Sequence, residues 1–174
     1  NLKTLRILKS FFPQLKIKFF DCNSKAYDWR IPSEWNVKKA YVIDKFNNKI
    51  IDFSHNNLHL VSYSQKINKK IKKSDLISKL YSNPKIKNAI PYVTSYYKKR
   101  WGFCLTHNSL SKIKKKYKKS NKIKVVIDSN FKKKGKMYYG EILIPGISKK
   151  EILISVNICH PSMANNELSG PLVS

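Results

Sequence analysis

Apolar positions change their spacing along the 174 residues, and each change predicts a different kind of element. Leu2, Leu5, Ile7, Leu8, Phe11 and Phe12 recur at helical spacing with Lys and Arg between them, so residues 1–12 read as an amphipathic helix that Pro13 ends. Residues 15–20 alternate apolar and basic side chains and predict a strand whose lysines guard an edge. From residue 37 onward the pattern is short strands broken by turns. Residues 40–44 and 50–53 flank Asn47 and Asn48, which tolerate the positive φ of a tight hairpin. Further strands are expected at 59–63, 91–97, 101–105, 122–128 and 136–144, with a short helix at 74–80 that has Ser74 as candidate N-cap. The lysine-rich run 112–119 reads as a solvated helix or loop. Pro145 and Gly146 turn the chain into residues 152–158, a β-branched run that fits a strand buried on both faces.

That last run leads into a cluster of metal-capable side chains. Pro161 lacks the N–H a central ladder needs, which leaves Cys159 and His160 at the strand's C-terminal end, where open α/β sheets bind ligands. Asn165, Asn166 and Glu167 supply turn and N-cap chemistry, and a helix is expected from about Leu168. His160 is the best zinc-donor candidate, because neutral imidazole binds zinc well and a strand end holds it rigidly; the alternative is a capping or packing role. Cys159 reads as a core residue, since only a thiolate would ligate zinc.

Several motifs carry a family resemblance. Residues 158–170, with Trp101-Gly-Phe-Cys104 and the segment 28–35 upstream, resemble a bacterial family of aminopeptidase-like proteins. The likeness continues through 56–64, 89–97 and 139–146. Members are similar to zinc-dependent exopeptidases of the M28 type and carry a small β domain inserted in the catalytic domain. The resemblance implies an α/β fold: part of a zinc-aminopeptidase-like mixed sheet with an inserted, mostly antiparallel β domain. The expected divisions are 1–35 for the N-terminal part of the peptidase-like domain, 36–144 for the inserted β domain, and 145–174 for the strand, loop and helix bearing the metal motif. It also implies one or two zinc ions in the longer parent, with His160, Asn166 and Glu167 at the site and the general base outside this piece. In the family pattern a His commonly stands at the place of Asn157 and an Asp at that of Asn166. A neutral amide replaces neither an imidazole nitrogen nor a carboxylate charge, and the adjacent Glu167 is the candidate to supply the missing carboxylate.

Composition adds a second line. The net charge is +26, from 36 Lys and Arg against 10 Asp and Glu, which first suggests nucleic acid. Few of the basic residues are Arg, the side chain suited to bidentate contacts, and the lysines are spread along the chain as on a solvated surface. The densest run, 112–124, still offers salt-dependent binding to a polyanion. Cys22, Cys104 and Cys159 form no close pair, so reduced thiols and a cytoplasmic setting are expected. No apolar run approaches the roughly 18 residues of a membrane span. The chain reads as an internal piece of a longer protein, inactive by itself.

Within the β region, His55, His59 and His107 read first as packing or hydrogen-bonding residues. His59, His107 and Trp101 become substrate-binding candidates if the β domain leans over the site. Trp29 and Trp35 pin a crossover, or line a cleft. Three functions follow: a metal-dependent hydrolase of a peptide or other amide, including an amide in cell-surface polysaccharide assembly; a non-catalytic peptide- or sugar-binding relative with a decayed metal site; and a basic nucleic-acid-binding module.

Overall fold

The computed structural model describes the backbone of residues 2–119, 121–158 and 165–173, and the side chains of the same residues apart from 165–168. In chain order the elements are α1 (Leu2–Phe11), β1 (Lys16–Asp21), β2 (Lys25–Ala26), β3 (Trp29–Arg30), β4 (Glu34–Ile43), β5 (Lys49–Asp52) and a 3₁₀ turn (Asn57–His59). They continue with β6 (Ile67–Lys72), α2 (Lys73–Ile77), β7 (Leu80–Tyr81), β8 (Phe103–Cys104), α3 (His107–Lys116), β9 (Lys122–Lys132), β10 (Lys136–Glu141) and α4 (Asn165–Val173). The fold class is α/β, with several small sheets.

The chain divides into two compact units, residues 35–131 and residues 1–34 with 132–174. The second boundary falls earlier than the strand pattern suggested. Residues 136–144 look like a continuation of the β domain, yet β10 pairs antiparallel with β1 from Lys16↔Glu141 to Asp21↔Lys136 and so belongs with the N-terminal segment. Stacked Phe20 and Tyr139, and the Lys18–Glu141 ion pair at 2.7 Å, sit across that ladder. Helix α1 packs on it through Leu5. A Cβ at Gly140 would lie 2.9 Å from the side-chain ends of Leu5 and Leu15, so a larger residue there would make those two side chains shift.

In the 35–131 unit, a four-stranded sheet of order β5-β4-β9-β6 carries the core. Ala40, Val42, Ile51, Ile123, Val125 and Ile127 point inward from it and meet Leu110 and Ile113 of α3 and Tyr117 at its C-cap. Helix α3 begins three residues after Cys104, where the Thr106 side chain accepts from the Ser109 amide as its N-cap. The expected β4–β5 hairpin forms around Asn47, whose φ is +67°, and the Asp44 carboxylate accepts from the Phe46 and Asn48 amides.

Several expected strands are not strands. Residues 59–63 hold the end of the 3₁₀ turn and an isolated bridge, Leu60↔Phe103, and residues 91–97 contribute only the bridge Ser62↔Thr94. Their apolar side chains face different neighbours along an irregular path. Helix α2 starts one residue before Ser74, with Lys72 in the N-cap position and no side-chain cap; the Ser74 hydroxyl donates to Asp75 instead. Residues 152–158 belong to no strand, and Ile152, Leu153 and Ile154 are 93, 90 and 67% exposed. The burial expected of this run requires neighbouring strands, and none stands beside it among the described residues.

Candidate functional site

The sequence directs attention to two places. His160, with Cys159, lies outside the described residues. Asn166 and Glu167 lie in the backbone of α4, which starts three residues before Leu168, and their side chains are outside the described set. Asn157, the other departure from the family pattern, is exposed. Among the described residues no three His, Cys, Asp or Glu side chains come together as a metal site.

The second place is the short parallel pair β7–β8, to which both candidate histidines are tied. His59 Nδ1 lies 2.8 Å from the Cys104 carbonyl oxygen. A carbonyl only accepts, so Nδ1 donates the hydrogen of this bond. His107 opens α3 and its Nδ1 lies 3.0 Å from the hydroxyl of Ser82, the residue after β7. Trp101 is half-buried and packs against the core. Each of the three thus has a structural anchor. The Cys104 thiol is fully buried, and burial pushes its pKa up to about 12, beyond what the Val93 backbone hydrogen bond offsets. It is a protonated packing group, neither nucleophile nor metal ligand.

An aromatic cluster lies in the same unit. Tyr63 meets Tyr97 and Phe131 edge-on, with ring centroids 5.2 and 4.7 Å away, and is tilted against Trp35 at 6.4 Å. Trp35 donates its indole N–H to the Ser64 carbonyl at 2.8 Å. Tyr63, Tyr96 and Tyr97 all hold positive φ, at 66, 48 and 64°, a conformation that costs a non-glycine residue about 1–2 kcal/mol. Only tertiary packing reveals this strain. Two buried polar groups were missed as well. Asp44 accepts from Tyr117 at 2.8 Å, and the Lys73 ammonium donates to the Lys114 and Tyr117 carbonyls at the end of α3. Asp44 before Asn47 and Asn48 is a readable turn signal; Lys73 has none, because its partners lie 41 and 44 residues away.

Comparison with known proteins fits this division. A family model described as a domain of unknown function, DUF2172, matches residues 34–130, more than half of the chain. The chain belongs to the DUF2172 family. Across 97% of its length it is 42% identical to a Clostridium acetobutylicum protein provisionally named as a polysaccharide biosynthesis protein with an aminopeptidase-like domain. The chain spans 37% of that relative. A crystal structure from the same species, of a protein provisionally named a peptidase, superposes with a TM-score of 0.85 at 41% identity, over 97% of this chain and 38% of that one. The DUF2172 unit and its flanks thus have the fold of the matching part of a peptidase-like protein.

Proposed function

We propose that the longer protein containing this chain is a zinc-dependent, M28-like aminopeptidase or related amide hydrolase, to which the chain contributes one edge of the active site and the DUF2172 unit. The observation that carries the reading is the 42% identity, across nearly the whole chain, to a relative named for an aminopeptidase-like domain. That relative's name also mentions polysaccharide biosynthesis, which favours an amide on a polysaccharide precursor over a free peptide as substrate. His160 and Glu167 are the proposed zinc donors, with Asn166 a neutral neighbour. When bound, zinc supplies a Lewis acid that polarises a scissile carbonyl and activates water.

In this reading residues 152–158 are the strand that presents His160, and their exposed apolar side chains support burial in a sheet completed elsewhere in the longer protein. The general base comes from outside the chain, so the chain alone is inactive. His59, through its Nε2 atom, together with His107 and Trp101, contacts substrate. Buried, unpaired Cys22 and Cys104 support a reducing, cytoplasmic setting.

Elemental analysis of the full-length gene product, purified without chelators beside its His160→Ala variant, tests the proposal. Near-stoichiometric zinc is expected in the parent and its loss in the variant, together with amide hydrolysis. Zinc in neither would sink the enzyme reading and leave a non-catalytic binding protein.

A further inference from the structure

Charge is unevenly distributed between the two units. Residues 35–131 contain 23 Lys and Arg against four Asp and no Glu, so +19 of the chain's +26 falls in the DUF2172 unit. Three of those four carboxylates are already engaged. Asp44 holds backbone amides and the Tyr117 hydroxyl, Asp52 pairs with Lys49 at 2.7 Å, and Asp128 with Lys66 at 3.7 Å. Only Asp75 remains, in the first turn of α2 beside the Ser74 hydroxyl.

The β6–β9 register concentrates this imbalance. It sets Lys70 opposite Lys124 and Lys72 opposite Lys122, all four exposed and on one face of the sheet. Like charges directly opposed destabilise a sheet, and none of the four forms an ion pair among the described residues. Lysine on an edge strand can serve to prevent sheet-to-sheet pairing. That role does not account for Lys122 and Lys124, which stand on β9, an interior strand. At the end of β6 the Lys73 and Ser74 amides donate to the Asn121 and Lys119 carbonyls.

We infer that this face binds a linear, acid-bearing polysaccharide, with Lys70, Lys72, Lys122 and Lys124 meeting acid groups along one glycan chain. The choice of a glycan rests on the polysaccharide reading proposed above, and on the side chains present. Ammonium groups are point charges without the bidentate fork that reads base edges, and none of these residues offers a ring on which a base stacks.

Polygalacturonate titrated into the full-length protein tests the inference, with neutral dextran and duplex DNA as comparisons. Binding should weaken linearly in log affinity against log salt. The K70E/K72E/K122E/K124E variant should bind about a hundredfold more weakly. K85E/K87E/K98E/K99E, an equal charge change at exposed lysines elsewhere on the unit, should lose less than about threefold. Circular dichroism checks both folds, and K70Q/K124Q, which removes one opposed pair without adding negative charge, gives the same ranking if the quadruple variant does not fold. Equal losses in the two sets would overturn the assignment, and so would DNA binding tighter than glycan at equal charge concentration. Glycan binding without zinc or hydrolysis would sustain this inference while removing the enzyme; hydrolysis of amides without glycan binding would do the reverse.

Discussion

The Asp44 side chain is fully buried, and burial by itself raises a carboxyl pKa. Hydrogen bonds from Asn48, Tyr117 and Phe46 outweigh that and hold it below its ordinary value. At Asp52 the Lys49 hydrogen bond is the largest influence; burial opposes it, the Ser54 bonds add to it, and the pKa falls to about 2. Both folded values lie below the unfolded ones, so both carboxylates stabilise the fold above the ordinary Asp value of about 4. That stability is lost as pH falls from there toward 2, Asp52 alone accounting for on the order of 2 kcal/mol. Urea unfolding across this range should show the decline, and Asp52→Asn should flatten it; a parent protein equally stable at pH 5 and pH 2.5 would contradict the argument. Asp44→Ala should cost about 2–3 kcal/mol at neutral pH, because it leaves the buried Tyr117 hydroxyl without its acceptor.

At the scale of elements, the segment around Trp101-Gly-Phe-Cys104 shows why an apolar run is a poor guide to type. Phe103, Cys104 and Leu105 are all fully buried, yet only two of them form a strand, β8, parallel to β7. The approach is close enough to need glycine: a Cβ at Gly102 would stand 2.7 Å from the Tyr81 ring, 2.9 Å from the Lys79 carbonyl and 3.1 Å from Val61. The Lys79 carbonyl already accepts from the Phe103 amide, so the backbone has little room to give. Gly102→Ala should therefore destabilise by about 2–3 kcal/mol in chemical denaturation. A change under about 0.5 kcal/mol, the usual range for a surface site, would show that the segment moves aside.

Across the whole molecule, the DUF2172 unit has its own core and its own aromatic clasp. Trp35 and Phe131, its first and last residues, both pack on Tyr63, so the two ends of the unit are held by one ring. Residues 35–131 expressed alone should unfold in a single cooperative urea transition, followed by circular dichroism and Trp fluorescence. A gradual, non-cooperative transition would mean that the unit depends on the rest of the chain. Neither Tyr63's role nor its positive φ is visible in the sequence, since its partners lie 28, 34 and 68 residues away along the chain.

Local chemistry was legible from the sequence alone. Helical spacing and Pro13 defined α1, alternation defined β1, Asn47 defined the β4–β5 turn, and separated motifs pointed to the aminopeptidase-like family. Each depends on neighbours within a few residues, or on a pattern carried by the chain itself. Pairing was decided only in three dimensions. The assignment of β10 to β1, the tethering of His59 and His107 to the β7–β8 pair, the capping of α3 by Lys73, and the opposition of lysines on β6 and β9 all join residues far apart in sequence. Hydrophobic pattern says that residues 152–158 favour burial, but burial is a property of what packs against them. An amino-acid sequence fixes which surfaces seek partners, and the tertiary structure fixes which partners they find.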